Sequence, residues 1–365
     1  MKDGMFMLNP EEFLLLESCW EKLEKTDKPI FIYGMGDGCL KLMKELERRK
    51  ISISGIFASD EFVRGHYFEG HLVHKLSDIE KSSKEQGYDF IILLAFAAGY
   101  QELITKIDKL EKKHCLIMPD TAVIGGEPFL KEHFSKRFED IEKVYDMLCD
   151  DQSRMVFKNI LKYKITGELK YLRESTTTTD EAFESILKLG NNEIYVDLGA
   201  FNGDTVLDFA NRTNYKYKAV YALEPNKRNF KKLSRCADGL DNINIFNSAA
   251  WSSNTTLTFN TGGGRQSQVS EKGVETDAKS VDSILRGKPA TYIKYDVEGA
   301  EKEAIKGTHQ TIETYSPKLC IAVYHRLYDM IDIPLQIKSI NPNYRFYLRH
   351  YPYYPAWETN LFCIP

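Results

Sequence analysis

The sequence lacks paired cysteines, a long apolar run and a basic leader. Its seven cysteines are far apart and form no Cys-x-x-Cys pair, so we expect no zinc site and a reducing, cytoplasmic location. The most apolar run, FIILLAFAAGY from Phe90, has about half of the ~20 residues that cross a bilayer, and no membrane span is predicted. The opening stretch MKDGMFMLNPEEFLLLESCW bears acids where a signal peptide has a basic region, so no signal peptide is predicted.

Neither sign of charge dominates the chain. The sequence holds 49 Lys and Arg against 53 Asp and Glu, a formal net charge of -4 at pH 7. Because the basic residues are spread among acids, we expect no nucleic-acid partner. A chain of 365 residues exceeds the usual size of a single hydrophobic core, so two domains are predicted.

The chain contains two copies of one pattern, a strand followed by a glycine turn and a helix. The first copy is PIFIYGMGDGCLKLMKELERRK and the second is NEIYVDLGAFNGDTVLDF, with an amphipathic helical stretch between them. This alternation predicts an α/β protein with two Rossmann-like units. The predicted boundaries are an N-terminal helical segment at 1–27, a Rossmann-like domain at 28–125, a helical connector at 126–175 and a second α/β domain at 176–365.

Two acids bracket the glycine turn of the second copy. Asp197 and Asp204 flank Gly199 and Gly203; carboxylates there disfavour a pyrophosphate and favour a positively charged ligand such as S-adenosylmethionine. Glu224 ends the next strand, 25 residues after Gly199, where a carboxylate accepts hydrogen bonds from ribose hydroxyls. A tight turn without a ligand is the alternative for the glycines, and helix capping is the alternative for Asp204.

Four motifs resemble, in order and spacing, the FkbM-type methyltransferase family: VDLGAFNGDT, YALEPN, SVDSIL and YIKYDVEGAEKEAIKG. The resemblance covers about residues 175–365 and implies a class I, S-adenosylmethionine-dependent O-methyltransferase domain. It also implies acceptors such as the hydroxyl groups of sugars, polyketides and other natural products. The cofactor-binding residues predicted from the turn and the resemblance are Asp197, Gly199, Ala200, Asn202, Gly203, Asp204, Glu224 and Asn247.

The later strands of the second unit carry the candidate catalytic groups. The carboxyl ends of parallel strands form the reactive edge of such a sheet, which nominates Asp296 in KYDVEGAE and His325 after IAVY for acid–base work on the acceptor. Glu298 is predicted to contact the acceptor. Alternatives stay open: Glu298 and Glu301 could cap the next helix, His325 could be structural, and Asp296, Glu298 and His325 could hold a divalent cation.

Two further segments are candidates for acceptor binding. NTGGGRQSQVSEKG, residues 260–273, is predicted to form an acceptor loop with Arg265 and Gln266 facing the substrate, a solvated crossover loop being the alternative. The tail YRFYLRHYPYYPAWETNLFCIP predicts a closing antiparallel hairpin, because prolines interrupt two aromatic strands. Within it Tyr354 is predicted to contact a sugar ring, with core packing as the alternative.

The first unit points less directly to a ligand. Its turn GMGDG departs from Gly-x-Gly-x-x-Gly because Cys39 replaces the third glycine, and Asp37 adds a negative charge at the phosphate position. The unit resembles small nucleotide-sugar-binding domains fused to some sugar acyltransferases, which implies a nucleotide-sugar partner and a ribose contact at Asp60. A scaffolding or dimerising domain is the alternative.

The function predicted from the whole sequence is an S-adenosylmethionine-dependent O-methyltransferase acting on a hydroxyl of a carbohydrate or sugar-linked natural product. The acids around both glycine turns disfavour the main enzymatic alternative, a dinucleotide-dependent oxidoreductase. A non-catalytic scaffold that binds a nucleotide or nucleotide-sugar is the other alternative.

Overall fold

The computed structural model describes residues 8–259 and 273–365. The first unit is built on a six-stranded sheet with the order β3-β4-β2-β1-β5-β6. The strands are β1 (Ile30–Tyr33), β2 (Gly55–Ala58), β3 (Tyr67–Phe68), β4 (His71–Lys75), β5 (Ile91–Leu94) and β6 (Cys115–Ile117). All pairings except that of β3 with β4 are parallel. Every residue of β1 and β5 is buried, as continuous apolar runs predict for central parallel strands.

Helices cover this first sheet, as the alternation of the sequence predicts. They are α1 (Glu11–Leu14), α2 (Cys19–Lys25), α3 (Asp37–Arg48), α4 (Leu76–Gln86) and α5 (Gln101–Glu111), with a short 3-10 turn at Asp60–Phe62. The order of the strands reverses between β1 and β5. At such a reversal a Rossmann-like sheet opens a ligand crevice.

The middle of the chain is helical, as its apolar periodicity predicts. Its helices are α6 (Lys131–Lys136), α7 (Phe138–Met147), α8 (Asp151–Thr166) and α9 (Lys170–Ser175). The carboxylate of Asp150 caps α8 by accepting the Ser153 amide at 2.7 Å, and α8 ends at Gly167, which has a left-handed φ of 67°. A single buried cluster includes Phe57 of the first sheet, Phe157 of α8 and Ile321 of the second sheet, so the connector packs against both.

The second unit is a seven-stranded sheet with the order β15-β16-β14-β13-β7-β8-β9. Its strands are β7 (Ile194–Leu198), β8 (Ala219–Leu223), β9 (Ile243–Phe246), β13 (Tyr292–Tyr295), β14 (Lys318–Ala322), β15 (Arg345–His350) and β16 (Thr359–Ile364). The five strands from β9 to β14 are parallel, whereas β16 runs antiparallel to both of its neighbours. The predicted closing hairpin is therefore β15 and β16.

Helices flank the second sheet, and a small three-stranded sheet lies beside it. The helices are α10 (Thr179–Glu181), α11 (Asp204–Arg212), α12 (Lys227–Ala237), α13 (Val281–Leu285), α14 (Glu301–Lys306), α15 (His309–Tyr315) and α16 (Asp329–Ile340), with a π-helical turn at Ala182–Leu187. The small sheet has the order β10-β12-β11 and consists of β10 (Ala249–Ala250), β11 (Thr255–Phe259) and β12 (Val274–Lys279).

The stretch NINIFNSAAW, residues 242–251, predicts one continuous strand, and this prediction is wrong in the length of the strand. The structure divides it into β9 and β10, which belong to different sheets. Between them the amide of Asn247 donates to the carbonyls of Glu224, at 2.9 Å, and Pro225, at 3.0 Å. This side chain replaces ladder hydrogen bonds where the chain leaves the sheet, a competition with regular structure that favours asparagine in turns.

The closing hairpin also contacts the first unit. Ala98 and Tyr354 exchange two backbone hydrogen bonds, of 2.7 and 2.9 Å, and a side chain at Gly99 would overlap the ring of Tyr353. These contacts explain the aromatic tail in part as packing between the two units. In the ranges 8–259 and 273–365, the helices are all too short or too polar to cross a membrane.

Candidate active site

A cavity of about 330 Å³ lies at the carboxyl ends of the central strands of the second sheet. Its wall includes Gly199 and Phe201 from the turn after β7, and Glu224, the residue that follows β8. Across from these, the wall is formed at the ends of β13 and β14 by Asp296 and Tyr324. The reversal of strand order between β7 and β13 places this cavity where open α/β sheets bind ligands.

Glu224 is a buried carboxylate held by the backbone. Its side chain accepts hydrogen bonds from the amides of Phe201, at 2.9 Å, and Asn226, at 2.8 Å, and the residue is 6% exposed. Burial raises the pKa of Glu224 to about 7, against the opposing effect of the two amides. Each carboxylate oxygen keeps a lone pair for a further donor, so Glu224 can accept two hydroxyl groups from a ligand.

The two glycines of the turn are required by the protein itself. Gly199 has a φ of 87°, and a Cβ there would overlap the carbonyl oxygen of Asp296 on the neighbouring strand. Gly203 has a φ of 92°, and a Cβ there would lie 2.8 Å from Sγ of Cys236 on α12. Both positions are left-handed and closely packed, conditions that only glycine meets without strain. These contacts agree with the alternative hypothesis for the two glycines, a tight turn that requires glycine even without a ligand. Gly199 also lines the cavity.

Asp197 is fully buried and pairs with residues of the cavity wall. Its Oδ2 accepts the hydroxyl of Thr205 at 2.5 Å, and its Oδ1 lies 3.6 Å from Nζ of Lys294. Lys294 also lies 3.5 Å from Oδ2 of Asp296. Burial lowers the pKa of Lys294, but the two aspartates outweigh it and raise the pKa above its usual range. The lysine therefore stays charged between them.

The remaining predicted cofactor residues fall into two groups. Asp204 lines the cavity, at the first position of α11. Ala200, Asn202 and Asn247 support the turn and the strand ends: Ala200 is fully buried, the Asn202 side chain accepts the amide of Asp204 at 3.2 Å, and Asn247 holds the carbonyl of Glu224. The side chains of Asn202 and Asn247 thus bond to protein groups, and that of Ala200 packs in the core.

Asp296 is surrounded by hydrogen-bond donors and cations. The hydroxyl of Tyr324 donates to its Oδ1 at 3.3 Å, and Nε2 of His325 lies 3.7 Å from the same atom. Burial raises the pKa of Asp296, but Lys294 and His325 outweigh it, so the pKa lies below its usual value. The group is a carboxylate at neutral pH.

His325 is 2% exposed and faces three carboxylates. Its Nδ1 lies 2.9 Å from Oε1 of Glu301, while its Nε2 lies 3.6 Å from Oε2 of Glu298 and 3.7 Å from Oδ1 of Asp296. Burial alone would lower the pKa of His325, but Glu301, and then Asp296 and Glu298, raise it to about 10. The imidazole is therefore a cation at neutral pH and cannot accept a proton.

Glu298 and Glu301 follow Asp296 in one tight turn. Glu301 is 1% exposed, and its Oε1 accepts the amides of Val297, at 2.9 Å, and Gly299, at 3.4 Å. Glu298 lines the cavity and has a φ of 50°, which is unusual for a residue with a side chain. Within the described ranges, no group of three or more His, Cys, Asp or Glu side chains is arranged to hold a metal ion.

The predicted acceptor contacts are not all in the cavity. Arg265 and Gln266 lie outside the described residues. Tyr354 is buried in the core between the two units, where its hydroxyl donates to Oδ1 of Asp108 at 3.0 Å. The predicted contact of Tyr354 with a sugar ring is therefore replaced by packing, because the hairpin docks on the first unit.

The cavity wall includes side chains that sequence reasoning missed. Lys294 had a signal in the sequence: it precedes Asp296 by two residues, and alternate residues of a strand share one face. Trp251, Asn229 and Glu358 also line the cavity. They come from the ends of three separate elements, so no local pattern marks them.

The glycine turn of the first unit packs closely against the segment that follows β5. A Cβ at Gly34 would lie 2.8 Å from the ring of Phe96, and one at Gly38 would overlap the carbonyl oxygen of Ala95. Oδ1 of Asp60 accepts the amide of Ser77 at 3.4 Å. Phe96 and Ala95, which pack against the two glycines, follow β5. The nucleotide-sugar contact of this unit stays a prediction.

Comparison with known proteins identifies the second unit. Residues 197–353 match the family model described as the methyltransferase FkbM domain. The chain carries an FkbM-family methyltransferase domain. The family predicted from the four motifs is thus confirmed, and with it methyl transfer as the class of reaction.

The fold of the whole chain is shared with a solved structure. Over 99% of this chain and 95% of the other, the protein is similar to the methyltransferase FkbM from Methylobacillus flagellatus KT, with 20% identity and a TM-score of 0.72. At that identity the likeness shows a shared fold, which includes the first unit.

Two other solved structures match a smaller share of this chain. They are an rRNA methylase from Streptococcus thermophilus, with 15% identity over 48% of this chain and 87% of that chain and a TM-score of 0.32, and fibrillarin from Aeropyrum pernix with natively bound S-adenosyl-L-methionine, with 10% identity over 48% and 69% and a TM-score of 0.32. Among curated proteins, the comparison found no match.

Proposed function

We propose that the protein transfers a methyl group from S-adenosylmethionine to a hydroxyl group of a carbohydrate or sugar-linked natural product. Glu224 is the observation that carries the proposal. It is a carboxylate fixed by two amides, almost fully buried, on the wall of a cavity at the strand ends of an FkbM methyltransferase domain. Two adjacent ribose hydroxyls would offset the cost of burying its charge.

The residues around Glu224 fit the rest of this donor. The cavity volume, about 330 Å³, is within the range of roughly 300–1,000 Å³ that is common for small-molecule sites. Phe201 and Trp251 give the wall aromatic surface suited to a purine ring. When bound, S-adenosylmethionine supplies a methyl group that is already activated by a positively charged sulfur. The carboxylates of Asp204 and Asp296, which both line the cavity, favour that charge.

Asp296 is the proposed proton acceptor. It lines the cavity, is ionised at neutral pH because its pKa is low, and is held by Tyr324 and Lys294. A weak base is sufficient, since a hydroxyl oxygen loses its proton more readily as its new bond forms. The protein then has to hold the acceptor oxygen in line and keep water out.

His325 differs from the general base that the sequence suggested. Its charge is retained by Glu301, so at neutral pH it holds the carboxylates of Asp296 and Glu298 on one side of the cavity. This positive charge also compensates for two carboxylates that would otherwise repel each other. The proposed role of His325 is therefore to orient Asp296.

The proposed acceptor class follows from the hydrogen-bonding groups opposite Glu224. Asp296, Glu298 and Glu358 line that part of the cavity, together with the hydroxyl-bearing Tyr324. Carboxylates accept hydrogen bonds and disfavour anions. An acceptor with several hydroxyl groups meets these conditions, whereas a phosphorylated or carboxylated acceptor does not.

Calorimetric titration of the purified protein with S-adenosylhomocysteine tests the proposed donor site. We expect micromolar binding, and a loss of affinity of about tenfold or more in Glu224→Ala, because the ribose hydroxyls lose their acceptor. Asp238→Ala, an exposed acid at the end of α12, serves as the control and should bind like the wild type. Equal affinities in Glu224→Ala and the wild type would contradict the assignment of Glu224.

A further inference from the structure

A loop of the first unit contacts the acceptor side of the methyltransferase cavity. This loop, residues 122–126, follows β6 and is here named the contact loop. The amide of Ile124 donates to the carbonyl of His325 at 2.8 Å. A Cβ at Gly299 would lie 2.8 Å from Cγ1 of Ile124, so the isoleucine side chain covers the turn that contains Glu298.

Lys41 of α3 holds the contact loop from the other side. Its Nζ donates to the carbonyls of Val123, at 2.8 Å, and Ala122, at 3.4 Å, and lies 2.8 Å from Oδ2 of Asp37. The side chain of Lys41 is 18% exposed. An ammonium group that is largely shielded from water and bonded to two carbonyls favours one conformation of the loop. The first sheet is thereby connected to the cavity by direct contacts.

The turn that the contact loop covers has an unfavourable backbone conformation. Glu298 has a φ of 50° and Gly299 a φ of 87°, and the carbonyl of Gly299 accepts Nε of Arg326 at 2.7 Å. A left-handed residue with a side chain persists only where its neighbours fix it. Those neighbours include Ile124, which belongs to the first unit and not to the methyltransferase sheet.

We propose that the first unit is part of the methyltransferase site, because Lys41 and the contact loop hold the turn of Glu298 and the backbone of His325 in the geometry that orients Asp296. Lys41 and Ile124 are positioning residues, which act through others. This inference rests on the proposed function for the role of Asp296.

The charge of His325 gives a readout of this geometry. Four carboxyl groups face or influence its ring: those of Glu301, Asp296, Glu298 and Asp329. If the turn moves, these distances change and water reaches the ring. The pKa of His325 then moves from about 10 toward the ordinary histidine value.

The experiment compares Lys41→Met with Lys41→Arg and with Lys44→Met. Methionine keeps the length of the side chain but donates no hydrogen bond, arginine restores the donors, and Lys44 is an exposed lysine on the same helix. NMR measures hydrogen exchange at the amides of Ile124 and Val297, and the titration of the His325 imidazole. Calorimetry measures the affinity for S-adenosylhomocysteine, which reports on the donor part of the cavity.

In Lys41→Met we expect exchange about tenfold faster at Ile124 and Val297, and a fall of about one unit in the pKa of His325. The Gly199 amide, which bonds to Leu223 on the donor side, should exchange as before, and S-adenosylhomocysteine affinity should stay within about twofold. Lys41→Arg should have the exchange rates and the His325 pKa of the wild type, because arginine also donates hydrogen bonds. Lys44→Met should show neither change.

Two outcomes would overturn the inference: unchanged exchange at Val297 and an unchanged pKa of His325, or equal acceleration at Ile124, Val297 and Gly199. The second outcome would show that Lys41 contributes only to general stability. If the wild type does not bind S-adenosylhomocysteine, the proposed function fails, a result that the exchange measurements do not affect.

Discussion

Nδ1 of His325 lies 2.9 Å from Oε1 of Glu301, and both side chains are almost completely buried. The same Glu301 oxygen accepts the amide of Val297, so the carboxylate is fixed by the backbone and the histidine is fixed by the carboxylate. A buried histidine without this neighbour would lose its charge. The pairing therefore determines that His325 acts as a cation in the cavity.

Removing the charge of Glu301 should release the proton of His325. In Glu301→Gln the pKa of His325, about 10 in the wild type, should fall by about two units or more, because burial is then opposed by weaker attraction. NMR titration of the imidazole measures the change. A pKa that stays near 10 would show that other groups hold the charge.

The same pair should make the stability of the protein depend on pH. The pKa of His325 is raised on folding from about 6.5, so its stabilising contribution is fully present below that pH and is lost as the pH rises through about 10. In the wild type the free energy of unfolding should therefore fall between these values. Glu301→Gln should show a flatter profile when both are measured by urea denaturation.

The affinity for S-adenosylhomocysteine should increase with pH. Unliganded Glu224 has a pKa of about 7, and hydroxyl donors favour its carboxylate form, so the ligand binds more tightly once the proton has left. Between pH 8 and pH 6 we expect affinity to fall about tenfold. Calorimetry measures this, and Glu224→Gln, which does not titrate, should remove the dependence. A flat profile in the wild type would contradict hydroxyl binding by Glu224.

Asp296→Asn should reduce methyl transfer without reducing the binding of S-adenosylhomocysteine, whose sulfur carries no charge. An amide does not accept the acceptor proton, so kcat should fall by about a hundredfold or more. The measurement is transfer of a radiolabelled methyl group to the first hydroxyl compound that shows turnover in a screen of glycosides. S-adenosylhomocysteine affinity is measured beside it and should change little. Unaltered kcat in Asp296→Asn would assign proton removal to another group.

Gly199→Ala should destabilise the protein, whereas Gly239→Ala should not. A Cβ at Gly199 would overlap the carbonyl of Asp296 at a φ of 87°, but at Gly239 no atom lies within 4 Å. We expect a loss of about 3 kcal/mol for the first substitution and a change within about 0.5 kcal/mol for the second. Denaturant unfolding measures both. Similar stabilities would show that the strand ends adjust to a side chain.

Much of the fold was predictable because it is encoded in local patterns. Buried strands such as β1 and β5 are continuous apolar runs, and some helices begin after a glycine turn or a capping residue, as α3 does after Gly36 and α8 after Asp150. The ribose-contact candidate Glu224 was found by its spacing from Gly199, since a strand, a turn and a helix have nearly fixed lengths. The division of 242–251 into two strands was not predictable, because it depends on hydrogen bonds from Asn247 to a distant strand end.

The candidate site shows the same division between local and long-range information. Asp296 and His325 were nominated because parallel strands end at one edge of the sheet. The charge of His325 was not predictable, since it depends on the distance to Glu301. The assignment of Tyr354 to the acceptor was replaced by packing because the tail docks on the first unit.

By itself the sequence determined the class of the protein: two α/β units, a glycine turn, and an ordered set of motifs that place a methyltransferase domain in the second half. Tertiary structure alone decided the charge of His325, the packing of protein atoms against Gly199 and Gly203, and the contact of the loop at 122–126 with the backbone of His325. The physical reason is range. Secondary structure and turns depend on residues close in the chain, whereas charge state and close packing depend on distances between residues that folding brings together.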